Sequence, residues 1–128
     1  MTQHGSKADM QRRGGTHATN REGIPSLGNI DFKQNPFIVF WETTRSCSLA
    51  CRHCRAVAQP KRHPLELSTS EGETLIDQIA SMGNPLLVIT GGDPMMRPDL
   101  VHFIGYASQK GLRVSLAPSA TRLVTRQT

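Results

Sequence analysis

The chain's three cysteines lie close together, in the pattern Cys-x-x-x-Cys-x-x-Cys at Cys47, Cys51 and Cys54. A structural zinc site and an ordinary iron–sulfur cube each take four protein ligands. Three thiolates therefore leave one position of a four-iron cluster open, and a substrate or cofactor can bind there. The spacing predicts a reactive iron–sulfur site at these three cysteines.

A zinc site is the main alternative, with His53 or His63 as the fourth ligand. His53 lies between two candidate ligands, which crowds simultaneous coordination, whereas His63 is far enough along the chain to reach the metal. Unligated thiols are a third interpretation. An odd number of clustered cysteines argues against a secreted disulfide framework and indicates a reducing, cytoplasmic compartment.

Composition excludes two classes of partner. The 128 residues include 15 lysines and arginines against 10 aspartates and glutamates, for a net charge of +5. The few aromatic residues do not alternate with basic ones, so the stacking platform of a nucleic-acid-binding surface is missing. No apolar run reaches the roughly 20 residues of a membrane span. We expect a soluble, cytoplasmic protein with no nucleic-acid or membrane partner.

Basic residues surround the cysteines in the sequence. Such cations would stabilise a reduced, more negative cluster and would steer an acidic electron donor, such as a flavodoxin or a ferredoxin, towards it. The alternative is that these side chains are simply solvated. The five residues are Arg45, Arg52, Arg55, Lys61 and Arg62.

Hydrophobic patterns predict the elements that position the cysteines. Residues 1–34 show no apolar period and are predicted to be a disordered or loosely packed leader, with the domain at residues 35–128. The β-branched and aromatic run at residues 37–41 predicts a strand buried on both faces. The cationic, proline-containing stretch at residues 47–67 predicts a functional loop.

Two helices and two further strands are predicted after this loop. Ser68 with Glu71, or Ser70 with Glu73, matches a capping box that opens the first helix. Its apolar stripe repeats at helical spacing, at Leu75, Ile79 and Met82. The second helix starts at Pro98-Asp99, ends before Gly111, and has its apolar face at Leu100, Phe103, Ile104 and Ala107. The strands are expected at residues 86–90 and 112–117.

The order β-α-β-α-β predicts an α/β fold with parallel strands and right-handed crossovers. A parallel sheet needs both faces covered, three strands and two helices are few, and exposed strand edges would be a liability. We therefore predict the N-terminal part of a (βα) TIM-like barrel, apparently truncated where another helix should begin.

Two motifs in this order resemble those of the radical S-adenosylmethionine (SAM) superfamily. The first is Glu42-Thr-Thr-Arg-Ser-Cys47-Ser-Leu-Ala-Cys51-Arg-His-Cys54 after the first strand, and the second is Gly91-Gly92-Asp93-Pro94 after the second. The chain is similar in particular to the haem-modifying and peptide-maturing branch, whose members carry a SPASM-type extension. The likeness covers about residues 36–125.

The resemblance implies that the three cysteines bind a 4Fe-4S cluster whose fourth iron takes SAM. Electron transfer to SAM then gives a 5′-deoxyadenosyl radical, which abstracts hydrogen from a substrate. The substrate is not identified; a peptide and a tetrapyrrole-like molecule are the options. A chain of this length is expected to be too short to act alone, so an inert fragment and a small zinc-binding module are the alternatives.

The resemblance also assigns cofactor-binding positions. Gly91-Gly92-Asp93 stands at the family's Gly-Gly-Glu position, which meets the SAM amino group, and Asp93 is one methylene shorter than Glu. His53 takes the place of an aromatic residue near the adenine, and Ser119 follows the third strand at the expected barrel mouth. The plain alternatives are a strand-to-helix turn, an exposed loop histidine and a helix-capping serine.

Overall fold

The structure is a computed structural model that describes residues 31–33 and 35–125. Three strands form one parallel sheet in the order β1-β2-β3. The predicted α/β class, with parallel strands in a β-α-β-α-β order, is confirmed. The predicted leader lies outside the described residues except for 31–33. The elements are β1 (Ile38–Glu42), α1 (Thr69–Ser81), β2 (Leu86–Thr90), a 3-10 turn (Pro94–Met96), α2 (Leu100–Gln109) and β3 (Arg113–Leu116).

One face of the sheet packs on both helices. The register places Val39, Leu87 and Val114 side by side on this face, and Trp41 beside Ile89 two residues further on. These side chains join one apolar core, because alternate residues of a strand point to the same face. The helices and the α2–β3 connection complete the core with Ile76, Ile79, Leu100, Phe103, Ala107 and Leu112.

The prediction that β1 is buried on both faces was wrong. Phe40 is 68% exposed and Ile38 is 37% exposed, because both helices pack on the opposite face of the sheet. An apolar run of this length has the same periodicity whether one face or two are covered. The sequence pattern therefore could not distinguish the two cases.

Of the two predicted capping boxes, the one at Ser68 and Glu71 forms. The Ser68 side chain accepts from Glu71 N–H, and the Glu71 carboxylate accepts from Ser68 N–H at 2.8 Å. Ile76 and Ile79 are buried, but Met82, predicted on the same stripe, is the C-cap residue and is 44% exposed. The helix has ended at this position, so the 3.6-residue period no longer directs the side chain towards the core.

Gly72 allows an aromatic pair to pack against α1. The Trp41 and Phe103 ring centroids lie 4.9 Å apart. A Cβ atom at position 72 would lie 2.5 Å from Phe103 Cε1 and 2.9 Å from Trp41 Cη2. Both rings are buried and cannot move away cheaply, so only glycine fits at this position.

We expect Gly72→Ala to lower the free energy of unfolding by about 1–2 kcal/mol, because the overpacking cost exceeds the gain in helix propensity. Urea denaturation followed by Trp41 fluorescence measures the change. The matched control is Gly105→Ala in α2, where an added Cβ would meet no atom within 4 Å. That control should stabilise the protein by up to about 1 kcal/mol. Stabilisation by both substitutions would contradict the packing explanation.

The second helix and the third strand lie close to their predicted positions. α2 begins after Asp99 and ends before Gly111, whose φ of +81° suits the predicted residue beyond the C-cap. The predicted apolar face of α2 packs on the core, and β3 is one residue shorter at each end than predicted. No helix of the described residues is long and apolar enough to cross a membrane.

Arg97 connects the end of β1 to the start of α2. Its Nη1 donates to the carbonyl oxygens of Thr43 (3.2 Å) and Leu67 (3.0 Å). Its Nε and Nη2 donate to the two carboxylate oxygens of Asp99 at 2.8 and 2.7 Å. Hydrogen bonding from Arg97 is the main reason that the pKa of Asp99 falls from 3.8 to about 2. A buried arginine paired in this way stabilises the sheet edge that carries the first motif.

We expect Asp99→Asn to remove an acid-dependent part of the stability. The folded-state pKa of Asp99 lies below its ordinary value of 3.8. Its contribution is therefore present above about pH 4 and is lost as the pH falls towards about 2. On acidification over this range the unsubstituted protein should lose roughly 1 kcal/mol more than the variant. Urea midpoints at both ends of the range measure this. Equal losses in the two proteins would rule out the Arg97–Asp99 pair as the cause.

Candidate functional site

The cysteines lie on a loop whose base is closed by backbone hydrogen bonds. Ser46 and Gln59 form an isolated parallel bridge. Cys47 N–H donates to Gln59 O and Gln59 N–H donates to Arg45 O, both at 2.9 Å. The loop therefore leaves and returns next to the carboxyl end of β1. Cys47 belongs to the closed base of the loop, and Cys51 and Cys54 lie in the loop beyond that base.

The three cysteines differ in exposure. Cys47 is 8% exposed, while Cys51 and Cys54 are exposed, and no disulfide forms among them. Cys47 Sγ accepts a hydrogen bond from Leu49 N–H at 3.3 Å. Cys54 N–H donates to Cys51 O at 3.0 Å. Within residues 31–33 and 35–125, no three histidine, cysteine, aspartate or glutamate side chains are gathered as a site for a single metal ion.

The glycines of the second motif pack against the backbone that leads into the cysteine loop. Gly92 N–H donates to Thr44 O at 2.7 Å, and Asp93 N–H donates to Ser46 O at the same distance. A Cβ on Gly92 would lie 2.6 Å from Ser46 O, and one on Gly91, whose φ is +151°, would overlap Thr44 O. Glycine is required here because two protein backbones meet, so the second motif lies directly against the first.

Asp93 is fully buried and joins the ends of β2 and β3. One carboxylate oxygen accepts from Met95 N–H at 3.1 Å and from Ser119 N–H at a long 3.5 Å. The other accepts from Thr121 Oγ1 at 2.9 Å. Asp93 thus caps the short turn that follows it, as expected for a strand-to-helix turn. The same carboxylate is the one assigned to SAM by the resemblance.

Ser119 approaches the same place from β3. Its Oγ donates to Gly92 O at 2.7 Å and lies 3.6 Å from Cys47 Sγ. His53, in contrast, is exposed on the loop with the two outer cysteines. Ligands of parallel sheets bind at the carboxyl ends of strands. The structure brings together at those ends Cys47, Gly91, Gly92, Asp93 and Ser119.

Glu66 belongs to this region but was not predicted from the sequence. Its carboxylate accepts from Thr44 Oγ1 at 2.6 Å and Arg62 Nε at 2.7 Å. It also accepts from the backbone N–H groups of Arg45 and His63, each at 3.3 Å. Burial acts to raise the pKa of Glu66, but these hydrogen bonds outweigh it and lower the pKa. Because the Thr44 contact spans 22 residues, no local pattern reveals it.

An open cavity of about 540 Å³ lies beside the cysteine loop. Its volume falls in the range of small-molecule sites. The cavity separates the start of the loop from the segment after β3, and apolar side chains contribute to its wall. Its lining residues are Ser48, Leu49, Met96, Ala120, Thr121, Arg122 and Leu123.

Comparison with known protein families agrees with this geometry. A family model described as the radical SAM superfamily matches residues 41–126, which include both motifs and all three strands except the start of β1. The chain belongs to the radical SAM superfamily. No solved structure matches the chain.

The curated relatives carry names from the predicted branch, which confirms that resemblance. The chain is 53% identical over 90 residues to the AdoMet-dependent heme synthase of Oleidesulfovibrio alaskensis, covering 70% of this chain and 23% of the relative. It is 43% identical over 90 residues to the Fe-coproporphyrin III synthase of Methanosarcina barkeri, covering 70% and 22%. It is 35% identical over 88 residues to the mycofactocin maturase MftC of Mycobacterium ulcerans, covering 69% and 24%. The chain spans about a quarter of the length of these relatives.

Radical SAM enzymes use a 4Fe-4S cluster and SAM, which confirms the cofactors predicted for the family. The residues of this chain fit such a cluster. Three cysteines free of disulfides lie on one loop, and thiolates are its usual ligands. Ser46 Oγ, next to Cys47 in the chain, is buried with no hydrogen-bond partner among the described residues. That hydroxyl is free to donate to a sulfur atom.

Proposed function

We propose that this chain is the cluster- and SAM-binding N-terminal part of a radical SAM enzyme. The observation that carries the proposal is the contact between the two motifs. Backbone hydrogen bonds of 2.7 Å hold Gly92 and Asp93 against the segment that leads to Cys47. A cluster ligand and a candidate SAM ligand thereby come from adjacent strand ends. The sheet is then the first part of a βα barrel.

Each residue of the site has a proposed role. Cys47, Cys51 and Cys54 would hold a 4Fe-4S cluster, which together with SAM would supply a 5′-deoxyadenosyl radical for hydrogen abstraction. Asp93 accepts a hydrogen bond from the SAM ammonium group, since its Thr121-bonded oxygen keeps a second lone pair. Ser119 positions Asp93 and the Gly92 carbonyl. His53 packs near the adenine.

The exposed basic residues around the loop favour an acidic protein as the electron donor. Arg55 pairs with Glu42 and Arg62 pairs with Glu66, while Arg52 and Lys61 are exposed and carry further positive charge. We propose that a flavodoxin or ferredoxin approaches this surface in a reducing cytoplasm, where long-range attraction raises its encounter rate.

A tetrapyrrole is the proposed substrate class. Two relatives, at 53% and 43% identity, are named for haem and Fe-coproporphyrin synthesis. The match to the mycofactocin maturase is lower, at 35% identity, so a peptide substrate is the second candidate. Both the tetrapyrrole and the peptide are candidate substrates of the whole radical SAM enzyme.

Anaerobic reconstitution with iron and sulfide tests the proposal. The 128-residue chain should become brown, with a charge-transfer band at about 400 nm, whereas zinc is colourless because its d shell is full. Adding SAM to the reduced protein should change the electron paramagnetic resonance spectrum of the cluster. A colourless product that binds one zinc ion per chain would instead identify the zinc-binding module.

A further inference from the structure

Thr44 links the Glu66 carboxylate to the residue before Cys47. Thr44 Oγ1 donates to Glu66 Oε1 at 2.6 Å and accepts from Ser46 N–H at 3.0 Å. Thr44 is 2% exposed and Ser46 is 0% exposed, so water does not compete for these hydrogen bonds. A charged acceptor at the end of such a chain strengthens it. The chain of hydrogen bonds therefore ends one residue from the buried cysteine.

The same segment is held on its other side by the second motif. The carbonyl oxygens of Thr44 and Ser46 accept from the N–H groups of Gly92 and Asp93. That contact is made by backbone atoms, and a Cβ added at Gly92 would disturb it. The contact through Glu66 is made by a side chain, so truncating that side chain removes it and leaves the glycine contact in place.

Glu66 also holds the far end of the cysteine loop. Arg62 Nε and His63 N–H donate to the same carboxylate that receives Thr44 Oγ1 and Arg45 N–H. Residues before and after the loop thus donate to the same carboxylate. Closing a long loop costs conformational entropy, and four donors on one carboxylate offset that cost in the absence of metal.

We propose that Glu66 is a positioning residue that, acting through Thr44, holds Cys47 in its buried orientation and closes the cysteine loop before metal binds. A preformed first ligand lowers the ordering cost of assembling the cluster. The proposal rests on the proposed role of Cys47 as a cluster ligand, but its physical content is the metal-free conformation of the loop.

Alkylation of the metal-free full chain by iodoacetamide, followed cysteine by cysteine with mass spectrometry, tests it. Glu66→Ala should raise the rate at Cys47 about tenfold, because losing charge-assisted hydrogen bonds raises the population of locally open states. Cys51 and Cys54 are already exposed and should react at unchanged rates. Thr44→Val should reproduce the effect, and Thr44→Ser, which keeps the hydroxyl, should restore the slow rate.

Glu42→Ala is the matched control. The exposed Glu42 carboxylate pairs with Arg55 of the cysteine loop, and among the described residues it makes no hydrogen bond to Thr44 or Ser46. This substitution should leave Cys47 slow. If Glu66→Ala unfolds the chain, the Thr44→Val and Thr44→Ser pair decides. An unchanged Cys47 rate in folded Glu66→Ala, or equal rates in the two Thr44 variants, overturns the proposal. Because no iron is present, a wild-type chain that fails to form a cluster leaves this result unaffected.

Discussion

Replacing Cys51 by serine should abolish retention of the iron–sulfur cluster and leave the fold intact. Cys51 is exposed and takes no part in the apolar core, so the free energy of unfolding should change by less than about 0.5 kcal/mol. A serine hydroxyl is not deprotonated at neutral pH and cannot replace the thiolate as a ligand. Loss of a direct ligand should lower the affinity for the cluster by at least about 100-fold, the upper end of what loss of an indirect partner causes.

Iron and sulfide analysis after anaerobic reconstitution and gel filtration measures this loss. Ser48→Ala is the matched control, because Ser48 lies on the same exposed loop between two of the cysteines and should leave iron binding unchanged. His63→Ala separates the alternatives, since it should have no effect on a three-cysteine cluster but should weaken a zinc site that uses His63. A brown Cys51→Ser protein would remove Cys51 from the ligand set.

Replacing Asp93 by asparagine should weaken SAM binding by about tenfold and leave cluster content unchanged. The asparagine oxygen still accepts from Met95 N–H, and its amide group can donate to Thr121 Oγ1, so the turn is preserved. The negative charge is lost, and a hydrogen bond to a charged group is worth about 1.5–3 kcal/mol against about 1 for a neutral one. Anaerobic equilibrium dialysis of SAM against the reconstituted protein measures the difference.

Asp93→Ala tests the structural role of Asp93 in the turn, as distinct from its proposed role in SAM binding. It leaves the donors at Met95, Ser119 and Thr121 without the acceptor they share in a fully buried site. We expect the free energy of unfolding to fall by about 2–4 kcal/mol, with loss of both cofactors as the strand ends separate. If Asp93→Asn binds SAM as tightly as the unsubstituted protein, the role of Asp93 is confined to the turn.

Local sequence signals predicted most of the elements. The capping box at Ser68 and Glu71, the apolar runs of the strands and Gly111 after α2 depend on contacts within a few residues, so they can be read from the sequence. The exposure of Phe40 could not. It depends on what packs against the strand, and the period of a strand carries no information about its neighbours.

For the candidate site, the sequence alone supplied the candidate residues: three clustered cysteines and a glycine-rich second motif, each following a strand. Only the tertiary structure showed why the glycines are needed, since a Cβ on either would overlap backbone oxygens at residues 44–46. It likewise revealed Glu66 beneath the cysteine loop and Arg97 at the end of β1. Residue type and short spacing indicate the candidate ligands. The side chains that hold those candidates in place are distant in the chain and become adjacent only after folding.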